Sequence, residues 1–572
     1  FPTRRSSDLR LLLSMIIFAS FMQNGYAESF VVNAPSTQQN GGNTIDGDDT
    51  LTITEDGSIT VTGVSAVDTT GTNNTIINKG ALIVTGTSSR GIRTLSNSQV
   101  TNSGTISTNG GGATGILCTT SATITNTGTI TSNGTNADGI FVFSSSTVNN
   151  EGTIISSGTN SQGMTGLTNN TFTNSGKIIS INSLSIQFLS SGNTLNLIAP
   201  AFLGGEIDLG DATIVNITTG PSHSVLWDFS TGTLSNSLNV SGPVPYFYNA
   251  TTQQFATFDP TALSTAPDFL ADVSGAVTEA VDNRLTSIRL CGCSPCNQNI
   301  WLSFAGSRLD YKKNNALLKR DTSYWNLLIG ADRCVCSRMV VGVFAGYGRG
   351  FLEADSSFYH SFNNHADGFV GGAYLGTTFD CYYMNFKLAG GNLHYDDKRY
   401  VNNNLAAAGE ARPAKAGHGS WWISPELLVG ANFGCWCNTL LMPSISYRYG
   451  YQHMSNYHEK SSTANASIAS RNVQVSELKL EAQLEKQFKA FTFGLKGGYL
   501  LRNPLGKNDA KVTLISVTNT IPCFAEDRSC GFVGGNLILY LGDCCELVGE
   551  AEYITGTKME GVKGSVNFNV TF

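Results

Sequence analysis

Long apolar runs are missing from this 572-residue chain. Apart from one short segment near the start, nothing approaches the ~18 consecutive apolar residues of a spanning helix. Charge is scarce too, at 13% of residues with a net charge of −7. Without a basic cluster, nucleic acid is a poor candidate partner. Low charge with abundant Ser, Thr and Asn and 62 Gly would suit disorder, but 41% hydrophobic residues favour folded β structure. Between the start and residue 290 the only histidine is His223, so a hydrolytic triad has one candidate base there. No G-x-S-x-G or H-E-x-x-H motif occurs, and the acids and bases are too dispersed for a polysaccharide-lyase site. Cysteine is nearly absent from the same stretch, where Cys118 is the single example among 13 in the chain. The sequence thus predicts no catalytic residues, no cofactor and no metal site.

The first nine residues, Phe1–Leu9 (FPTRRSSDL), read as a non-native scar. Residues 10–27 follow with Arg10, the apolar run Leu11–Phe21 and a small-x-small site at Gly25-Tyr26-Ala27, the layout of a secretory signal peptide. An exported chain without a spanning helix can cross a membrane only as a closed barrel. The length suggests two or three domains.

Residues 28–243 carry a repeat. Asn78, Asn102, Asn126, Asn150 and Asn174 recur every 24 residues, each two positions before a glycine. Ile76, Val100, Ile124, Val148 and Phe172 precede them, and Leu82, Ile106, Ile130, Ile154 and Ile178 follow. Short β segments with turn glycines at such a period imply a right-handed parallel β-helix with one coil per repeat. The repeated asparagines form either an amide ladder or exposed turns that exploit asparagine's tolerance of left-handed backbone. The regular pattern fades near Ser180, although Gly204–Ile217 still reads as coil strands.

Residues 244–290 change texture, from Pro245-Tyr246-Phe247-Tyr248 through Ala256-Thr257-Phe258-Asp259-Pro260-Thr261 to a helical stretch, Asp268–Leu290. There Leu270, Val273, Val277, Val281, Leu285 and Ile288 share a face. Residues 291–572 alternate with period two. Glu477, Lys479, Glu481, Gln483 and Glu485 interleave with Leu478, Leu480, Ala482 and Leu484, giving a polar inner and an apolar outer face. Such segments begin near Ile300, Thr322, Arg338, Asp367, Tyr382, Ser420, Asn438, Asn472, Phe491, Gly531, Glu546 and Lys563. Loops are expected at Ser356–Ala366 and Arg399–Gly419, and an interfacial aromatic girdle at Trp301, Trp325, Trp421, Trp422 and Tyr382. The last strand places Val566, Phe568, Val570 and Phe572 on one face and Asn567, Asn569 and Thr571 on the other.

That closing strand resembles the assembly signal of bacterial outer-membrane barrels. The A-T-F-D-P-T segment, with a helix leading straight into a terminal β-domain, resembles the pre-barrel region of monomeric (type V) autotransporters. The resemblance covers the C-terminal half and the hinge and implies a pore-threading α-helix and a 12-stranded antiparallel transmembrane β-barrel; with the β-helix passenger given by the repeat, the chain is all-β. It further implies outer-membrane lipid and the barrel assembly machinery as partners and a passenger on the cell surface, where an extended uncharged surface rich in Thr, Ser and Asn suits an adhesin or coat role with an unknown host-surface ligand. The alternatives are a soluble secreted β protein ending in a sandwich, a secreted β-helix enzyme, or a structural envelope protein without an adhesive role. Some autotransporters cut themselves at an Asn-Asn pair in the helix; this helix has only Asp282-Asn283, so the passenger is expected to stay attached.

On this map Cys334, Cys336, Cys381, Cys435, Cys437, Cys544 and Cys545 fall in short periplasmic turns. Cys291, Cys293 and Cys296 lie where the helix meets the first strand, and Cys523 and Cys530 in the last long loop. Metal binding is the competing reading, but an oxidising compartment and a spread-out rim favour disulfides, between turns or to other envelope proteins. This resembles the cross-linked envelope of chlamydia-like bacteria, though GGAI-type repeats are absent from the passenger.

Overall fold

The computed structural model describes residues 27–572 except 212, 222–223, 230–237, 292–297, 356–359, 407–410, 436–437, 524–525 and 543. The scar and signal-peptide readings, His223, Cys293, Cys296 and Cys437 therefore lie outside the described residues, as do the side chains of Cys291 and Cys435. The chain forms two compact units, one chiefly up to Thr218 with Trp227–Ser241, the other chiefly Gly242–Asn403 with Ala411–Phe572.

The first unit is a parallel β-solenoid. A typical coil holds three strands, such as Gln99–Asn102, Thr105–Asn109 and Ile116–Thr120, each paired in parallel with its counterparts one coil away. Ile76, Val100, Ile124, Val148 and Phe172 stack in register, and so do Leu82, Ile106, Ile130, Ile154 and Ile178. Ile92, Ile116, Ile140 and Met164 form a third column, absent from the sequence reading. All are buried. No coil could shield these side chains alone; stacking gains ~1.5–3 kcal/mol for each one removed from water. The repeated glycine has a steric cause. A Cβ on Gly128 would lie 2.1 Å from the Gly104 carbonyl oxygen of the preceding coil, so any side chain would push the coils apart.

The five repeat asparagines are buried, not exposed. Nδ2 of Asn78 donates to Oδ1 of Asn102 at 2.7 Å, and Asn102, Asn126 and Asn150 continue the series to Asn174 at 2.7–2.8 Å. The row ends where the next coil offers an apolar partner, Ile53 beside Asn78 and Leu197 beside Asn174. A second row, Asn196, Asn216 and Asn239, runs on the outer face at 2.8–2.9 Å. Where the sequence pattern fades, a long strand, Lys177–Phe188, contributes to two faces through a shifted register. Stacking nevertheless continues through Thr194–Ile198, Ile214–Thr218 and Leu238–Ser241, because it requires apolar side chains in register and not a constant coil length.

The second unit is a barrel of twelve antiparallel strands: β1 (Gln298–Tyr311), β2 (Arg320–Cys336), β3 (Met339–Asp355), β4 (His360–Phe379), β5 (Tyr382–Asn403), β6 (Ala411–Ala431), β7 (Thr439–Met454), β8 (Arg471–Gln487), β9 (Phe491–Leu505), β10 (Arg528–Tyr540), β11 (Cys545–Gly556) and β12 (Met559–Thr571). Pairing of β12 with β1, from Thr571↔Asn299 to Met559↔Tyr311, closes the ring and leaves no edge. Two expectations need correction. Arg399–Gly419 is largely strand, since β5 and β6 stay paired out to Asn402↔Ala411, and β4 already begins at His360. Low-propensity Asn, Gly and Ala made these extensions look like loops, but cross-strand hydrogen bonding decides. At the opposite rim the connections are tight. Beyond the other rim, Tyr457–His458, Ser467–Ile468, Ala510–Leu514 and Val517–Ile521 form a separate four-stranded sheet.

Candidate functional site, the helix in the barrel lumen

Strand alternation puts one set of barrel side chains outward and the other into the lumen. Outward lie Leu327, Val343, Phe369, Leu484, Leu495 and Val533, the apolar belt that faces lipid. Inward lie charged and aromatic groups, and among them sits α1, Ala266–Cys291. Leu270, Val273, Val277, Val281 and Leu285 are buried, in one apolar cluster with Trp301, Tyr324, Phe344 and Tyr374 of the wall. Glycines in the wall make room for the helix. A Cβ on Gly350 would stand 2.5 Å from the Phe269 ring, and one on Gly376 2.8 Å from Leu285.

The rest of α1 is polar and held by ion pairs along its length. In the first turns, Asp268 accepts from Arg528 at 2.7 and 2.8 Å and from Arg320 at 3.1 Å. One turn on, Asp272 meets Arg502 at 2.9 Å, the Tyr311 hydroxyl at 2.8 Å and Thr322 at 2.9 Å. Mid-helix, Glu279 pairs with Lys563 at 3.2 Å, Asp282 pairs with Lys387, and Asn567 donates to the Ala280 carbonyl at 2.9 Å. Near the end, Arg284 binds Asp332 through two bonds of 2.8 and 3.1 Å, and Asn283 reaches Ser565 at 2.7 Å. A charge buried in a lumen is tolerated only when so paired, and each pair has one fixed geometry. The helix is therefore held in register with the wall. A small polar cavity of about 60 Å³ remains beside it, lined among others by Glu279, Arg289, Glu481, Lys496 and Glu550. Among the described residues, no three His, Cys, Asp or Glu side chains are placed to hold a metal ion.

In β12 Val566 and Phe568 point outward, with Val570 partly covered beside them, while Asn567 and Asn569 are buried in the lumen; Phe572, the residue after the strand, is exposed. The girdle reading needs correction. Trp325, Trp421 and Tyr382 face outward, but Trp301 and Trp422 are buried inside, Trp301 donating to the Tyr374 hydroxyl at 2.8 Å. Trp421 and Trp422 are consecutive, so one strand must send them to opposite faces. The cysteines are also redistributed. Cys334 and Cys336 end β2, Cys435 lies in a short strand, Cys545 starts β11, and Cys530 is buried within β10; Cys381 and Cys544 lie in turns. Cys334 is disulfide-bonded, whereas Cys336, Cys381, Cys544 and Cys545 are free thiols. Sequence reasoning missed Asp268, Asp272, Asp282 and Arg284 on the helix and their partners Arg320, Lys387, Arg502 and Arg528. The available signal was charge at inward positions of otherwise apolar strands.

Residues 300–520 match the autotransporter β-domain family. The barrel is an autotransporter β-domain. Residues 14–183 match a pectate lyase-like domain, the third of BigA. The translocator domain of the autotransporter NalP from Neisseria meningitidis aligns with a TM-score of 0.42 and 12% identity over 53% of this chain and 98% of its own. For the β-domain of the Bordetella autotransporter BrkA the values are 0.37, 13%, 48% and 99%. For the transport unit of AIDA-I from Escherichia coli they are 0.35, 13%, 51% and 98%. No curated protein matches the chain. The β-domain lies in the outer membrane, and its β-helical passenger is displayed at the cell surface.

Proposed function

We propose that the passenger, residues 28–243, works as an adhesin or coat that stays attached to its β-domain, residues 291–572, through the linker and helix of residues 244–290. The outer faces of the solenoid carry this reading: outward positions repeat as Thr, Ser and Asn, for example Thr75, Thr123, Thr147 and Thr171, with few charges among them. Such a surface presents many weak hydrogen-bonding groups in a regular array, suited to an extended partner. Retention rests on the helix sequence, which offers no Asn-Asn pair. In the same reading the outward residues of β12 are the signal taken by the barrel assembly machinery. Among the cysteines of the periplasmic rim, the bridge at Cys334 links turns, and the free thiols Cys336, Cys381, Cys544 and Cys545 link the protein to neighbouring envelope proteins. Intact cells displaying the full chain should bind host cells or abiotic surfaces more than cells lacking it. Protease added outside should remove that binding, and a passenger that stays protected from it would defeat the display reading.

The pectate lyase-like match favours a second reading, a polysaccharide-degrading passenger. Release of unsaturated or reducing sugar ends by displaying cells would establish it over the first.

A further inference from the structure

The A-T-F-D-P-T segment is used by neither the pore helix nor the lipid belt, yet it is packed in a buried apolar cluster outside the lumen. Tyr246–Asn249 and Gln254–Thr257 form an antiparallel hairpin. Phe247, Ala256 and Phe258 share one buried apolar cluster with Ile468, Val512 and Ile521 of the four-stranded outer sheet. That sheet is built by the β7–β8 and β9–β10 connections, both on the outer rim. Hydrogen bonds fasten the edges: Nδ2 of Asn249 donates to the Ile515 carbonyl at 3.0 Å, and Nδ2 of Asn519 to the Tyr246 carbonyl at 2.8 Å. Beneath, Arg399 stacks on the Phe258 ring at 4.7 Å and is itself held by Glu459 at 2.6 and 2.9 Å. The turn into the helix is tied down as well, where the Leu318 amide donates to Thr261 and Arg471 donates to the Leu263 carbonyl at 2.9 Å.

We propose that the outer sheet is a docking site for the emerging linker, and that the docked hairpin is a lock that shields the linker from proteases outside the cell. The inference rests on the retained-passenger reading and supplies its mechanism. An exported linker without this cover would be an extended apolar segment at the cell surface. Proteases require an extended, accessible backbone, and here the backbone is hydrogen-bonded in a hairpin with its aromatic side chains buried. The lock can close only after the linker has left the lumen, because its other half stands outside the barrel. Closure then opposes return of the chain.

The test alters the sheet and leaves the linker sequence intact, so the protease meets an unchanged target. Ile468→Asp with Val512→Asp, in the full chain on intact cells, should raise the rate at which proteinase K releases a passenger fragment ending between residues 242 and 265 at least tenfold. Heat-modifiable gel mobility of the barrel should not change. Release at the parent rate from a folded barrel would overturn the lock. Should the double variant fail to insert, Asn519→Ala decides, since it removes a bond from the sheet side alone: about threefold faster release supports the lock, and no change overturns it. Shedding of the passenger by the parent chain without added protease would instead refute the retained-passenger reading, whatever the variants do.

Discussion

Replacing Asp268 by Asn should unplug the pore without opening the barrel wall. Asp268 faces Arg320, Arg502 and Arg528, with every one of these side chains at most 4% exposed. Asparagine keeps the shape and one acceptor but leaves a net positive charge among three buried guanidinium groups. Removing one partner of a buried pair costs roughly 3–5 kcal/mol. At about 1.4 kcal/mol per tenfold change, the equilibrium between docked and undocked first turns moves by some two to three and a half decades. Strand pairing around the ring does not involve Asp268, so the barrel should keep its heat-modifiable mobility. In planar bilayers the variant should show larger and more frequent conductance steps than the parent. Hydrogen exchange should accelerate in Ala266–Ser274 and much less near Arg284, where the Asp332 pair persists. Adding Arg320→Met should restore part of the loss, as expected for coupled neighbours. Parent-like conductance and exchange in Asp268→Asn would refute the claim that these ion pairs hold the helix.

Asn126→Ala breaks two links of the amide row and strands one donor and one acceptor in the solenoid, a cost of about 3 kcal/mol; hydrogen exchange should rise locally in the adjoining coils, and an unchanged rate would deny the row a structural role. Burial raises the carboxyl pKa of Asp138 above its ordinary value, offset in part by the Gln162 amide and the Thr165 hydroxyl. Its ionised form therefore costs stability at neutral pH, a cost that disappears as pH falls through the raised value toward the ordinary one near ~3.9. Asp138→Asn should stabilise these coils at pH 7 and abolish their gain on acidification, followed by exchange at both pH values. Deleting Phe572 should lower the yield of heat-modifiable barrel, read on gels of outer membranes. Non-reducing gels of the same membranes should show cross-linked species that collapse with reductant; a monomer in both lanes would exclude intermolecular disulfides.

The sequence by itself determined the architecture wherever the physics is periodic. A 24-residue recurrence of Ile, Asn and Gly can only stack, and a period-two alternation ending on Phe572 can only line two faces. The apolar stripe Leu270–Leu285 likewise declared a helix and its greasy side. Tertiary structure alone decided what depends on partners distant in the chain. Whether the repeat asparagines were a buried row or exposed turns turned on which side of the coil they faced. Trp422 went inside because its neighbour Trp421 went outside. The continuation of β5 and β6 past Arg399 came from cross-strand bonds that local propensity does not report. Above all, Asp268 and Arg528 stand 260 residues apart, and each taken singly reads as an ordinary charge. Only closure of β12 on β1 around the helix brings them within 2.7 Å. A lone charge carries no period, so its partner is set by the three-dimensional ring and not by any local pattern.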